Sequence, residues 1–575
     1  MAETGAMEER AKEYLGLVCN FYIVALLLAL PLYMKEGYWQ LGDAKYVLFR
    51  NISLICLFLW AAVSILRSAV RLWGKDWGRR IHADGRLKET RDGSGNRSLD
   101  RHVFLGTWSW TDGLVLAYGA VSALSCLFSE YPATAWLGYR QWYMGLFSQL
   151  LFVWIYFLVS RSHDGGMFAV WVGQGGLLVV SLLGILNRMG VDPLGVFAGW
   201  QRGDWEYTHL LSTVGNINWL CGYLCVSLPL AVVCFLRAKD RVQEVFFYSV
   251  SLLGLLLLCV QSSDSGLLIL GIGAMAAFCL ALRSEKDLRG VLALGGGLAA
   301  MLLPFGIFFE KVTDWKHFPW DDQGHRILTW KGWPLVALLL LAVHAVSRKI
   351  AFSKIRRMAV LLAAFGTACG ALFVFFTLGK SGGAVLWDYS WGNGRGGLWT
   401  LAVKSFREGN LLRKLLGVGP DCFGEHVFSV FATEEYLTQD GPFADAVFTN
   451  AHNEWLNQLV NTGILGMAAY LGIFAVSGIR YLKGCRKDTF LYLGILTLAL
   501  YAANASFSFQ EVMNAPFLFL VLGLCENRLR RTDKVERLAF FQPELCATHK
   551  VSRLWKGHRY KNRINRSRTD EMEKI

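Results

Sequence analysis

An all-α, polytopic transmembrane protein is the fold class predicted by three observations. Hydrophobic residues make up 54% of the 575-residue chain and charged residues only 18%. Apolar runs of about 17–25 residues recur along nearly its whole length, which is what a helix needs to cross a bilayer core of roughly 30 Å. Basic residues gather between alternate runs. Backbone groups in lipid must be satisfied within their own segment, so such runs can only be helices. A transmembrane barrel would alternate apolar and polar residues over about 10 positions, and no such pattern is seen.

Taken in order, the runs predict spans near 15–34, 46–66, 111–128, 145–160, 167–187, 218–236, 245–260, 266–282, 291–309, 333–347, 358–377, 463–479, 489–505 and 512–525. That makes about fourteen. The first run follows an acidic start and lacks a small-residue cleavage pattern, so it reads as an uncleaved span. The formal charge is +14, from 58 Lys and Arg against 44 Asp and Glu. Its basic residues fall at 67–101, 237–239, 283–289, 348–357 and 480–487, and in the tail after Glu526. This is the positive-inside pattern, which predicts that these segments and the N-terminus face the cytoplasm. A basic tail beside a membrane is drawn to anionic lipid headgroups, and no nucleic-acid fold motif is present, so membrane lipids rather than nucleic acid are the expected partner.

The same count places the polar stretches 188–217, 310–332 and 378–462 outside. Four regions follow: N-terminal spans over 1–377, a large extracytoplasmic loop over 378–462, C-terminal spans over 463–525 and a basic cytoplasmic tail over 526–575. Most cysteines lie in apolar spans, so no disulfide framework is offered. The loop 378–462 far exceeds an ordinary connection, and such loops tend to carry function. Two short amphipathic helices are legible in it. One runs over 397–407, with 398, 399, 402, 403 and 406 on one face; the other runs over 453–461, with Trp455, Leu456, Leu459 and Val460 together. Each is too short to span and suits a position flat at the membrane surface. A tight turn at Gly417-Val418-Gly419-Pro420-Asp421-Cys422-Phe423-Gly424 lies between them.

His452 opens the second amphipathic helix. The sequence places it in the first helical turn, with Thr449 or Asn450 as cap, where the positive end of the helix dipole disfavours imidazolium. A neutral imidazole can accept a proton, as a general base must. The following Asn453-Glu454 pair could hold the ring through its other nitrogen.

These residues resemble the O-antigen ligase and polymerase superfamily of bacterial membrane glycosyltransferases. The resemblance is carried by the Gly417-Val418-Gly419 turn, Ala451-His452-Asn453 followed by Trp455-Leu456, and Gly463-Ile464-Leu465-Gly466 at the start of the next span. Upstream, Gly215-Asn216-Ile217-Asn218 is similar to the family's glycine-asparagine-x-asparagine element. Gly138-Tyr139-Arg140 through Gly145 is similar to its arginine-bearing approach to an early span, and Gly394-Arg395-Gly396-Gly397 to the arginine opening its large outer loop. The match extends over roughly residues 130–525, and its specificity lies in the order and spacing of the elements.

The resemblance implies a GT-C-like fold in the bacterial cytoplasmic membrane. It also implies transfer of a glycan from undecaprenyl pyrophosphate to a glycan or lipid-glycan acceptor hydroxyl, with no metal, nucleotide or other cofactor. In that reading His452 is the general base. Arg395 neutralises the leaving pyrophosphate, for which a planar guanidinium is well suited. Arg140 is a second cation or an arginine snorkelling to the interface. Asn216, Asn218 and Asn453 are expected near substrate.

The chain departs from the family where Gln261-Ser262-Ser263-Asp264 places an aspartate at a position usually held by arginine. Either Arg202, Arg326 or Lys380 substitutes, or Asp264 contacts sugar or base, or it merely caps a helix. The departure tilts the reading toward a polymerase over a ligase. Asp321-Asp322 beside His325 would be a metal pair only with a third ligand that the sequence does not supply. A lipid-linked glycan flippase or other transporter is the rival reading. Transporters favour internal repeats and charges at mid-membrane, whereas here the spans are nearly free of charge. A catalytically dead scaffold of the same fold is the third.

Overall fold

The computed structural model describes residues 2–83, 108–201, 204–261, 263–312, 328–347, 349–354, 356–357, 394–431 and 448–541. Those residues are overwhelmingly helical, and their one sheet is a two-residue hairpin pairing Leu210–Leu211 with Gly215–Asn216. Eight helices are long and apolar enough to cross a membrane, and four shorter apolar helices accompany them. Every predicted span that falls on described residues coincides with a helix; the span near 358–377 lies outside them.

The N-terminal helix α1 (Ala2–Val24) continues through a π-turn at Ala25–Ala29 to Leu32. Pro31 explains the widened turn, because it has no N–H to give the carbonyl four residues back, that of Leu27. The freed oxygen presses on α5 (Phe168–Arg188, after α2, Leu41–Ala83; α3, Trp110–Leu127; and α4, Leu146–Ser162), where a Cβ on Gly176 would stand 2.2 Å from it. The end of this first segment is closed by Lys45 of α2. Its fully buried ammonium donates to the carbonyls of Leu30, Pro31 and Tyr33, each at 3.0 Å. Those carbonyls belong to the unpaired set that ends every helix.

The core centres on α6 (Ile217–Leu236), buried along nearly its whole length. Around it stand α7 (Arg241–Val260) and α8 (Asp264–Ala281), then α9 (Glu285–Val312) and α10 (Trp333–Val346). Three short helices, α11 (Arg395–Glu408), α12 (Leu411–Leu416) and α13 (Phe423–Phe431), precede the long α14 (Glu454–Gly484). α15 (Tyr492–Ala505) and α16 (Ala515–Phe541) complete the bundle. The last helix runs on without a break into the region expected to begin a separate tail at 526.

Arg237, Arg283, Arg480 and Arg530, four of the basic residues singled out by charge alternation, each find a buried partner, and Arg161, which that pattern did not include, joins Arg530. Asp112, with no exposed surface, accepts from Arg161 at 3.1 Å, from Arg530 at 2.6 Å and from the Tyr156 hydroxyl at 2.7 Å. Arg480 pairs with buried Glu526 at 2.5 Å and donates to Thr111 at 2.8 Å. Arg237 forms a two-pronged pair with Asp287 at 2.6 and 2.9 Å, and Arg283 reaches Cys485. From the Gly463 kink to Arg480 the helix alone rises roughly 25 Å, which puts the His452 end of the bundle at the far side.

Candidate functional site

The kink in α14 builds the site. Gly463 takes a left-handed φ of +66° inside the helix, so the segments predicted as a short amphipathic helix and a separate span join there at an angle. Breaking the ladder exposes carbonyls on the preceding turn. The oxygen of Val460 accepts from the N–H of Val418, and that of Asn461 from Gly419, both at 3.0 Å. The hydroxyl of Ser125 on α3 adds a bond to Asn461 O at 2.7 Å. Contact is close enough that a Cβ on Gly463 would lie 2.4 Å from the Leu415 backbone, and one on Gly417 2.3 Å from Asn461 O. Both glycines are therefore required by backbone approach as well as by φ.

Ahead of α14, His452 adopts a left-handed φ of +45°. Two asparagine side chains hold this conformation: Asn450 Oδ1 accepts from the His452 N–H at 3.0 Å, and Asn457 Oδ1 from the Ala451 N–H at 3.1 Å. The helix cap is Asn453, whose Oδ1 accepts from Leu456 N at 3.1 Å while its Nδ2 donates to Ser506 O at 3.1 Å. This corrects two expectations. His452 precedes the cap instead of occupying the first turn, and the Asn453-Glu454 pair does not hold the ring. Glu454 turns into the bundle, where Tyr470 and Tyr501 donate to its carboxylate.

The imidazole lies against Phe509 in the loop after α15, edge-to-face with centroids 5.2 Å apart. Trp142 meets the same phenyl ring at 4.7 Å, and Trp219 in turn packs edge-on against Trp142 at 5.4 Å. Burial first, and the positive charge of Arg395 second, push the His452 pKa down to about 4. The ring is thus neutral at ordinary pH. Arg395 opens α11 behind Gly394, whose φ of +89° turns the chain into that helix.

His452 and Arg140 line one cavity of about 680 Å³, with Thr134, Gln141, Trp142, Glu425, Thr449 and Asn450. Arg140 sits on a turn between two glycines, its side chain 74% exposed and 3.7 Å from Asp43. Asp43 is only 17% exposed, but the guanidinium itself is open to solvent, which screens the pair and leaves the free side of Arg140 facing the cavity. Glu425 on α13 accepts from the Thr134 hydroxyl at 2.7 Å, fixing the opposite wall. Beneath, sharing Asn450 as a wall, is a polar pocket lined by Asp421, Glu454, Gln458 and Gln149.

Of the residues expected at the site, the structure brings together His452 and Arg140, with Arg395 near enough to act on the imidazole electrostatically. Asn216 is the cap of α6, accepting from Asn218 N at 2.8 Å, and Asn218 Oδ1 accepts from Ser263 at 3.0 Å. Neither they nor Asn453 line the cavity; they hold helix starts around it. Asp264 is the first residue of α8, with Ser263 at the N-cap position. Arg202, Arg326, Lys380, Asp321 and Asp322 lie outside the described residues. Among the described residues no group of three or more His, Cys, Asp or Glu side chains could hold a metal ion. Sequence reasoning missed Phe509, Asn457, Asp421 and Glu425. Asn457 alone had a local signal, an amide side chain six residues past the Ala451 N–H it captures.

Comparison of the chain with protein-family models and with curated proteins gives no match.

Proposed function

We propose that the chain is a metal-independent membrane glycosyltransferase of the O-antigen ligase and polymerase type. It would move a glycan from undecaprenyl pyrophosphate to an acceptor hydroxyl on the outer face of the bacterial cytoplasmic membrane. The observation that carries this reading is a neutral, partly buried imidazole sharing one cavity with an exposed guanidinium, with a second guanidinium, Arg395, acting on it. In the reaction the acceptor oxygen attacks the anomeric carbon and its proton passes to His452. The bond from that carbon to the phosphate oxygen breaks, and the polyprenyl pyrophosphate leaves with the electron pair. Arg140 and Arg395 offset the charge that develops there. In this reading about fourteen spans cross the membrane, and the loop 378–462 is extracytoplasmic.

The test is incubation of the purified protein in lipid with a synthetic polyprenyl-pyrophosphate oligosaccharide. Elongated lipid-linked products are expected, as from a polymerase; delivery to a separate anchor would make it a ligase. Movement of the substrate across the bilayer with no new glycosidic bond would overturn the reading in favour of a transporter.

A further inference from the structure

We propose that Asp421 is the positioning residue of this site: its carboxylate holds the 138–145 turn so that Arg140 and Trp142 line the cavity beside His452. One oxygen, Oδ2, accepts from both the Tyr139 N–H at 2.7 Å and the Met144 N–H at 3.0 Å, pinning the two ends of the turn. That turn is not a conformation the chain would keep unaided. Gly138, Gln141 and Tyr143 all have left-handed φ values, of +91°, +80° and +54°, and two of the three carry side chains. Such strain persists only where surrounding structure over-determines it.

Asp421 is in turn fixed to the helix that follows His452. It sits at φ +62° one residue beyond the Gly417–Gly419 segment, across Pro420, and that segment is bonded to the carbonyls exposed by the α14 kink. Ser129 adds a bond to Val418 O at 2.6 Å. One short path therefore joins the two walls of the cavity: α14, Gly419, Asp421, then the Arg140 turn. The residue is only 6% exposed, and no cation pairs with it among the described residues. Burial pushes its pKa up to about 7 against the opposing pull of the two N–H bonds, with the charge of Glu425 on α13 adding to the rise. An apolar residue in its place would leave the Tyr139 and Met144 N–H groups without an acceptor, so the cost of burying this carboxyl is offset by the turn it holds.

What the turn binds rests on the transferase reading; that Asp421 holds it does not. The test therefore has two arms on full-length protein in lipid nanodiscs: hydrogen exchange over 138–145, and steady-state transfer from a polyprenyl-pyrophosphate oligosaccharide. Asp421→Asn keeps an acceptor oxygen and should keep slow exchange and near-normal donor KM. Asp421→Ala should speed exchange at Tyr139 and Met144 and raise donor KM by about tenfold or more, because both N–H groups lose their acceptor, with kcat little changed. Unaltered exchange in α14 and α16 would show that the variant folds, and the Asp421→Asn protein stands as the folded comparison if it does not. Exchange in Asp421→Ala equal to wild type would overturn the proposal. So would fast exchange with unchanged donor KM, or an Asp421→Asn protein as impaired as Asp421→Ala. Absence of transfer by the wild type would sink the transferase reading, and the exchange arm would still decide whether Asp421 holds the turn.

Discussion

The imidazole of His452 stands perpendicular to the ring of Phe509, with planes at 89° and centroids 5.2 Å apart. An aromatic face on that side removes water from the imidazole and fixes its orientation toward the cavity. The same phenyl ring carries Trp142 at 84°. A single side chain from the loop after α15 thus seats one residue from each wall of the site.

From that burial comes a pH profile. The proton-accepting form of His452 is neutral and prevails above its pKa of about 4. Transfer should therefore be flat through the neutral range and fall only as pH drops toward 4, and His452→Ala should abolish it. Arg395→Gln removes a charge that lowers the pKa, so the acid limb should move to higher pH while activity falls. An unmoved limb would show that Arg395 does not act on the imidazole. Stability follows the same sign. Between the ordinary histidine value and about 4 the unfolded chain takes up a proton that the folded ring refuses, so this residue makes the fold lose stability as pH falls through that window.

Gly463→Ala should be among the most damaging single-methyl changes in the chain. The left-handed φ alone costs a residue with a side chain about 1–3 kcal/mol, and here the new Cβ also meets Leu415 backbone. A lowered unfolding midpoint in detergent together with lost transfer is expected. A midpoint equal to wild type would mean the kink can straighten without loss.

Glu454→Ala should destabilise more than Glu454→Gln. Its carboxylate receives the hydroxyls of Tyr470 and Tyr501 in a fully buried setting. Leaving each unsatisfied costs about 1–3 kcal/mol, whereas the amide still offers an oxygen. Thermal unfolding of both variants checks the order, and equal midpoints would remove the network from the account.

At the opposite end, Asp112→Ala should harm the protein more than Arg161→Ala. Removing the buried carboxylate strands Arg161 and Arg530 together, a loss of about 3–5 kcal/mol by analogy with broken buried pairs. Removing Arg161 leaves Asp112 still paired with Arg530. Comparing the yield of folded protein and the unfolding midpoints tests this.

The helices were legible because span-length apolar runs admit no other backbone. The run expected at 167–187 is a helix at Phe168–Arg188, and that at 218–236 is Ile217–Leu236. The cap of α14 was misplaced for a local reason. Thr449, Asn450 and Asn453 can all accept from a free amide, and local rules rank them alike. What separates them is Ser506, far along the chain, which receives the Asn453 amide. Asp421 was invisible because nothing about an aspartate in a turn announces that its acceptors' partners lie near residue 140. Phe509 was hidden likewise, since its partners come from two other loops.

Lys45 has a consequence for how the protein is made. Its three carbonyl partners all lie within 15 residues of it. The first helical hairpin can therefore solvate its own ammonium as soon as both legs have emerged from the ribosome. Later segments then add to a hairpin whose ammonium already has its acceptors: the Thr213 hydroxyl joins Lys45 on the Pro31 carbonyl, and Gly176 packs on Leu27.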